Sequence, residues 1–285
     1  MLKTSIIILF TLMILGGCAS TDESDNTILD RSQNLLATGD SANDLLTNTN
    51  FDRLLVQIGY VSGFQPTQQT IDEFKAFIIR RTFKNDVDIQ LLELRSPNEE
   101  SLTLQEIADL ERENRTAYNN ETTLAIYIYF SDSISDGDDL DTGLVTLGAV
   151  YRNTSMVIFE RTIRALAGRS MAITTTDLET ATLIHELGHL FGLVNLGTPT
   201  INDHEDPDAE NHCSVEGCLM LAELTFDAIN KNPFSFKKPN DLTSVCNLSG
   251  NTMLKYLESR AAKKHAVIPD LDAECILDLQ SNGGR

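Results

Sequence analysis

The chain has 285 residues and a formal net charge of −20, from 22 basic and 42 acidic side chains. A chain of this length can bury a substantial core, so we expect one globular unit with appendages. The acidic excess argues against nucleic acid as a partner, because phosphate binding requires clustered Lys and Arg side chains. We therefore exclude nucleic-acid binding. Separately, we expect the protein to be a monomer.

The first residues predict an export signal. Lys3 is followed by an apolar run, Ile6 to Leu15, that is too short to cross a bilayer as a permanent helix. The sequence Leu15-Gly-Gly-Cys18 resembles a bacterial lipobox, in which the cysteine becomes the lipidated first residue of the mature protein. The resemblance implies a signal peptide over 1–17 and an acyl (palmitate) anchor on Cys18. It also implies an exported protein at a bacterial membrane, on the outer membrane or the cell surface. An ordinary signal peptide with a chance cysteine is the alternative.

Residues 18–50 precede the globular part: 19–26 predict a polar, flexible tether, and the scattered leucines of 27–48 predict one short helix that packs on the domain. From residue 51 the pattern changes to alternating strand-like runs and amphipathic helix-like runs. Strands are predicted over 54–61, 87–94, 124–130, 144–151 and 155–159, and helices over 67–83, 103–118, 160–167 and 251–264. This order predicts the α+β class, with a mixed twisted sheet packed on helices.

Two acidic segments, Asp132 to Asp141 and Asp203 to Glu210, carry enough carboxylates to suggest calcium binding. Neither has the spacing of an EF-hand loop. Solvated loops are therefore the favoured interpretation, and calcium binding is the alternative.

The segment His185-Glu-Leu-Gly-His189 contains the pattern H-E-x-x-H. On a helix, residues four apart lie above one another, so His185 and His189 can present both imidazoles to one ion. Glu186 lies at the edge of the same face, where its carboxylate can reach a water molecule at the metal. This combination favours hydrolytic zinc over structural zinc. A capping box at Thr176-Asp-Leu-Glu179 predicts the start of the helix, and Gly192 predicts its end in a left-handed turn.

From His185 to Gly192 the chain resembles the metzincin metalloproteases, which extend H-E-x-x-H with a glycine, a third ligand and a methionine turn. The resemblance implies an N-terminal catalytic subdomain over 51–192. It further implies an antiparallel edge strand, Leu144 to Val150, that binds an extended peptide by strand addition. Residues 193–285 would form a small, mainly helical or irregular C-terminal subdomain.

The segment His212-Cys-Ser-Val-Glu-Gly-Cys-Leu-Met220 resembles the H-C-x4-C-x-M segment of archaemetzincins. The resemblance implies that His212 is the third zinc ligand and that Met220 forms the methionine turn. The general clan pattern would instead place the third ligand at position 195, where this chain has Asn195. His204 is a rival, because Asp203 and Glu205 flank it and a carboxylate often supports a ligating histidine. We rank His212 first, His204 second and Asn195 third.

Four cysteines follow Cys18. In an exported protein an even number favours disulfides, with three alternative pairings. The most local choice pairs Cys213 with Cys218 and Cys246 with Cys275. A four-thiolate zinc site is the competing interpretation, but the chain lacks the C-x-x-C that follows the methionine in archaemetzincins.

These features together predict a hydrolase, a zinc-dependent endopeptidase with one zinc ion, in which Glu186 activates water for attack on a peptide or protein substrate. The alternative is a catalytically inactive surface lipoprotein that binds peptide or a protein partner through the same cleft. A calcium-dependent adhesion module is a third, weaker reading.

Overall fold

The computed structural model describes residues 30–138, 145–221, 242–244, 246 and 249–285. The predictions of a signal peptide over 1–17 and of lipidation at Cys18 lie outside these residues. Within the described ranges, no helix is both long enough and apolar enough to cross a bilayer.

The principal sheet has five strands in the order β2-β1-β4-β7-β6. Two shorter ribbons pair β3 with β5 and β8 with β9. The strands are β1 (Arg53–Val61), β2 (Asp86–Leu94), β3 (Ser101–Leu102), β4 (Thr123–Phe130), β5 (Ile134–Ser135), β6 (Gly148–Arg152), β7 (Ser155–Ile158), β8 (Glu205–Asp206) and β9 (Ala209–Cys213).

Seven α-helices accompany these strands in the described residues. They are α1 (Ala42–Leu46), α2 (Gln68–Arg81), α3 (Leu104–Asn114), α4 (Glu160–Ala167), α5 (Thr175–Leu190), α6 (Gly250–Ala262) and α7 (Ala273–Ser281). All five strands predicted for the principal sheet are present, as are the four helices predicted over 67–83, 103–118, 160–167 and 251–264. The sequence patterns did not predict α7.

The sheet is mostly parallel, because α2 and α3 each connect two parallel strands. The chain moves outward from β1 to β2 and then back across β1 to β4. Since such crossovers are right-handed, the two helices must lie on opposite faces of the sheet. Alternation along β4 agrees: Ile126 and Ile128 face the core of α2 and α5, and Tyr127 and Tyr129 face the core of α3. Helices therefore cover both faces of the sheet.

The edge strand β6 runs antiparallel to β7, while the other pairings in the sheet are parallel. Its residues 148–152 start four positions later than the strand that the metzincin resemblance implied. Residues 139–144, which precede it, lie outside the description. The antiparallel strand β6 contacts α5.

Residues 30–50 belong to the folded unit. The Asn34 amide is buried and donates to Asn119 Oδ1 (2.9 Å), the Ala125 carbonyl (3.1 Å) and Thr154 Oγ1 (3.1 Å). Leu45 and Leu46 of α1 are fully buried. The short helix predicted within 27–48 is present as α1 and packs on the folded unit, while the tether predicted directly after Cys18 lies outside the described residues.

Helix α5 passes through the middle of the protein and is buried from Leu178 to Leu190. Its capping box is formed by Thr174 and Asp177, two residues before the predicted pair. The predicted partner Glu179 is instead buried, and its Oε1 accepts a hydrogen bond from the backbone N–H of Thr67 (2.9 Å) at the start of α2. Gly192 ends the helix with a positive φ of 71°, as predicted.

Candidate metal centre

Helix α5 holds His185 and His189 in fully buried positions, with their rings in an edge-to-face arrangement. The two Nε2 atoms lie 3.2 Å apart, and the ring centroids lie 4.9 Å apart. This is the geometry expected from the four-residue spacing on a helix.

His212 on β9 completes a group of three imidazoles. Its ring centroid lies 5.4 Å from that of His185 and 4.9 Å from that of His189. The hairpin of β8 and β9 returns the chain to α5 after the loop that follows Gly192. The structure therefore brings together the two helical histidines and the residue ranked first as third ligand.

The two rivals lie elsewhere. His204 makes a contact of 2.7 Å from Nε2 to Asp278 Oδ2, and its Nδ1 lies 3.3 Å from Cys213 Sγ. Asn195 has φ +65°, and its side-chain amide donates to Glu205 Oε2 at 3.4 Å. Neither belongs to the imidazole group.

Backbone carbonyls orient two of the three rings. His185 Nδ1 lies 2.8 Å from the Leu219 carbonyl, and His212 Nδ1 lies 2.9 Å from the Glu210 carbonyl. Since a carbonyl oxygen only accepts, both Nδ1 atoms carry the hydrogen, and each Nε2 keeps its lone pair. The lone pairs then point toward the centre of the group.

Burial favours the neutral form of all three histidines. Burial lowers the pKa of His185 to about 3, with a further contribution from His212. Burial, together with the two other rings, lowers the pKa of His189 well below its usual value. The pKa of His212 is lowered by burial, against opposing effects of the Glu210 carbonyl and nearby carboxylates. Neutral imidazole is the form that binds metal ions.

Glu186 lies beside these rings, beneath the edge strand. Gly148 of β6 packs so closely that a Cβ at that position would lie 2.8 Å from Glu186 Cγ. Burial raises the pKa of Glu186 to about 8, while the Cys246 thiol and the Val150 backbone lower it to a smaller extent. Neither carboxylate oxygen has a partner with full hydrogen-bond geometry among the described residues.

Met220 packs against α5 directly at Gly188. A Cβ added to Gly188 would lie only 2.3 Å from Met220 Sδ, and Met220 is fully buried. The glycine within H-E-x-x-H therefore makes the space that this methionine occupies.

Cys246 also lies in this group, which the sequence did not predict. Its Sγ is 3.5 Å from His185 Nε2, and the donor atoms of Cys246 and the three histidines all lie within 4.8 Å of one another. The predicted pairing of Cys246 with Cys275 is therefore wrong, because Cys275 belongs to a different cluster. The number of cysteines in the chain does not indicate that Cys246 lies near the histidines.

The other three cysteines form a second cluster with Asp272, which we call the thiol group: Cys213, Cys218, Asp272 and Cys275. Cys218 Sγ lies 3.6 Å from Cys275 Sγ and 3.4 Å from Asp272 Oδ1. No disulfide joins any of the four described cysteines, so the predicted pair of Cys213 and Cys218 is also wrong. Hydrogen bonds from Cys218 and Cys275 lower the pKa of Cys213, which favours a shared thiolate.

The donors present fit a zinc ion in the histidine group. His212 Nε2 is buried and has no hydrogen-bond partner among the described residues, and the Nε2 atoms of His185 and His189 are so close that either a hydrogen or a cation must lie between them. A cation shared by the three nitrogens would satisfy all of them, and imidazole suits zinc. The part of the chain that the structure describes holds only two such donor groups, and neither includes a residue of the two acidic segments.

No family model and no curated protein matches this sequence. The chain is similar to one solved structure, the crystal structure of archaemetzincin from Methanopyrus kandleri, with 14% identity and a TM-score of 0.44. The match covers 81% of this chain and 96% of that chain. Since the identity and the TM-score are both low, the assignment of the site depends on the geometry described above.

Proposed function

We propose that this protein is a zinc-dependent endopeptidase. The observation that carries the proposal is the convergence of three buried imidazoles, with the buried carboxylate of Glu186 on the same helix as two of them. His185, His189 and His212 would hold the ion. A zinc ion bound there would act as a Lewis acid that polarises a carbonyl group and makes water more acidic.

Glu186 is the proposed general base. Its carboxylate is held against β6 by packing and is not engaged in the described hydrogen bonds, so it can accept a proton from water. It then passes this proton to the leaving amine. A nearby cation would lower its raised pKa and keep it ionised.

The substrate is proposed to bind along β6. Among the described residues no strand pairs with the outer side of β6, and an edge strand can accept an extended peptide through backbone hydrogen bonds. Because Gly148 lies directly over Glu186, a peptide added to this strand would pass beside the proposed base. This arrangement supports cleavage within a chain.

For the thiol group we propose a structural zinc ion. The backbone N–H of Val215 donates to Cys213 Sγ (3.4 Å), and that of Met220 donates to Cys218 Sγ (3.3 Å). Such bonds stabilise negative charge on sulfur. An ion there would tie the segment between His212 and Met220 to the start of α7.

Export and lipid anchoring are proposed from the N-terminal sequence alone. Incorporation of labelled palmitate in a bacterial host, compared between the wild type and Cys18→Ser, tests the anchor. Equal labelling of both proteins would contradict the proposal that Cys18 carries the lipid anchor.

The central test of the peptidase is Glu186→Gln. We expect zinc content to be unchanged and cleavage of a mixed peptide library to fall by about 10²–10⁴-fold, the usual contribution of a general base. Glu179→Gln is the matched control: it replaces another buried glutamate of α5, and the amide oxygen can still accept the hydrogen bond from Thr67. Cleavage at the wild-type rate by Glu186→Gln would contradict the mechanism.

A further inference from the structure

We propose that Glu160 and Glu179 form a buried acid pair that shares one proton, and that this proton fastens α5 to α4 and to the start of α2. Helix α5 also carries His185 and His189, so the pair holds the helix on which the histidine group is built. The inference does not depend on the proposed function, because neither glutamate belongs to the histidine group or to the thiol group.

Both carboxyl groups of the acid pair are removed from water. Glu160 is the first residue of α4 and Glu179 lies on α5, and each is 0% exposed. The two helices pack against each other, and the charge of Glu179 acts on Glu160. Two ionised carboxylates that are close together and shielded from water repel each other strongly.

The described hydrogen bonds satisfy only half of the oxygens of the pair. Glu160 Oε1 accepts a hydrogen bond from Arg164 Nε, and Glu179 Oε1 accepts one from the backbone N–H of Thr67 (2.9 Å). The Oε2 atom of each glutamate is buried and has no hydrogen-bond partner among the described residues. Buried oxygens without partners cost free energy. A hydrogen on one Oε2, donated to the other carboxyl group, would satisfy both of these oxygens.

The charges around the pair leave room for one proton. The charged groups that act on the two carboxylates are each other and Arg164, which lowers the pKa of both. Two ionised carboxylates and one guanidinium would leave one buried negative charge without compensation, which is unfavourable. Burial raises the pKa of both glutamates, and repulsion from Glu179 raises that of Glu160 further. A shared proton removes the uncompensated charge.

The other elements around the pair do not supply the missing positive charge. Helix α2 contacts Glu179 through uncharged groups, the Thr67 backbone and the Thr70 hydroxyl. Helix α6 also packs against α4, and its Glu258 accepts a hydrogen bond from Ser170 Oγ (2.6 Å) beyond the end of α4.

The acid pair lies where three parts of the fold meet. Arg164 donates to the carbonyls of Gly63 and Gln65 (3.0 Å) in the connection from β1 to α2, and Glu179 receives the Thr67 N–H at the start of α2. Because their pKa values are raised from the ordinary 4.5, the folded chain keeps a proton that the unfolded chain has released. Stability therefore falls as pH rises above the ordinary value, and the fall ends above the raised pKa.

The test compares urea unfolding of the full zinc-loaded wild type, Glu160→Gln and Glu179→Gln from about pH 5 to pH 9. In each variant the amide N–H₂ replaces the shared hydrogen, and the amide oxygen can still accept from Arg164 or Thr67. Relative to either variant, the ratio of folded to unfolded wild type should fall by up to about tenfold per pH unit, the effect of one proton. All other titrating groups are common to these proteins, so their contributions cancel in the comparison.

Glu113→Gln is the matched control, because it removes the same charge from an exposed position on α3. Its unfolding should follow the wild type at every pH. A difference between wild type and the Glu160 and Glu179 variants that does not change with pH, or that Glu113→Gln reproduces, would overturn the shared proton. So would a wild type whose stability depends on added Ca²⁺ or Mg²⁺ and not on pH, because a cation would then occupy the pair.

Infrared spectroscopy of the folded protein at neutral pH gives a second readout that needs no unfolding. The carbonyl stretch of a protonated carboxyl group should be present in the wild type and lost in both Glu160→Gln and Glu179→Gln. It should persist in Glu186→Gln, which removes the other buried carboxyl group of α5. A spectrum unchanged by the Glu160 and Glu179 substitutions would contradict the inference and leave the proposed peptidase untouched.

Discussion

The histidine group and the thiol group are close in the chain but differ in how their donors are partnered. His212 and Cys213 are adjacent on β9, and consecutive side chains of a strand point to opposite sides. His212 therefore faces α5, and Cys213 faces α7. One strand supplies both groups with a donor.

The surroundings of the two groups differ in the way expected for one catalytic and one structural metal site. In the thiol group, backbone N–H groups and Asp272 contact the sulfurs, so the donors are already engaged. In the histidine group, His212 Nε2 has no hydrogen-bond partner among the described residues, and the neighbouring Glu186 carboxylate has none of full hydrogen-bond geometry. Buried polar groups without partners cost free energy, and they persist where a ligand or a reaction uses them.

The largest effect is expected from His212→Ala, which removes one donor from the histidine group. Zinc content should fall by one equivalent, and peptide cleavage should fall by about 10³-fold or more, because the ion supplies the main electrostatic stabilisation. His204→Ala is the matched control, since His204 contacts Asp278 and Cys213 instead. Atomic spectroscopy of both proteins decides the ranking, and full zinc at the histidines of His212→Ala would reverse it.

The next effect is expected from Cys275→Ala, which damages only the thiol group. The protein should lose the structural ion and become less stable by about 3 kcal/mol or more, because loss of a bound metal is among the few changes that exceed the usual effect of a mutation. The histidine group should still bind its ion. Denaturant unfolding and zinc counting would show this. If Cys275→Ala lost the ions of both groups to the same extent, the two groups would form one cooperative unit.

A smaller effect is expected from Gly188→Ala, at the contact of α5 with Met220. In an open helix position this change would stabilise the protein by about 0.5–1 kcal/mol. Here the new Cβ would meet Met220 Sδ at 2.3 Å, so we expect destabilisation of about 1–3 kcal/mol from overpacking. Met220→Ala should make room, and the double variant should recover part of the loss. Simple additivity in the double-mutant cycle would exclude the contact as the cause.

The smallest effect is expected far from both groups, at Lys84. Its Nζ donates to the carbonyls of Asp44 (2.6 Å) and Phe51, and burial lowers its pKa from 10.5 to about 8. Between these pH values the unfolded chain holds a proton that the folded chain has released, so stability rises with pH. We expect a gain of roughly 1–2 kcal/mol after solvent screening. The difference in unfolding free energy between the wild type and Lys84→Met, followed from pH 7 to 10, should change by this amount while zinc content stays the same.

Much of the fold follows from local patterns. The apolar run in β4 predicted a central buried strand, the amphipathic run in α2 predicted a helix, and the capping box at Thr103 predicted the helix α3. The start of α5 was misplaced by two residues. Thr174 with Asp177 and Thr176 with Glu179 have the same spacing, and only the contact of Glu179 with Thr67 shows which pair is free to cap the helix.

The cysteines show where local reasoning fails. The predicted export of the protein and its even number of cysteines after Cys18 favoured two disulfides. In the structure, Cys246 lies near the histidines, and Cys275 lies near Cys213 and Cys218. Pairing depends on which distant segments meet, and more than fifty residues separate Cys218 from Cys275. Neither the count nor the spacing contains that information.

The sequence by itself determined the placement of His185, Glu186 and His189 on one helix, because a helix converts a four-residue spacing into neighbouring side chains without help from the rest of the chain. Only the tertiary structure decided that His212 and Cys246 join them, that His204 does not, and that Gly148 closes over the glutamate. These contacts join residues far apart in the chain, and they form only when the hairpin of β8 and β9 and the edge strand pack around the same helix.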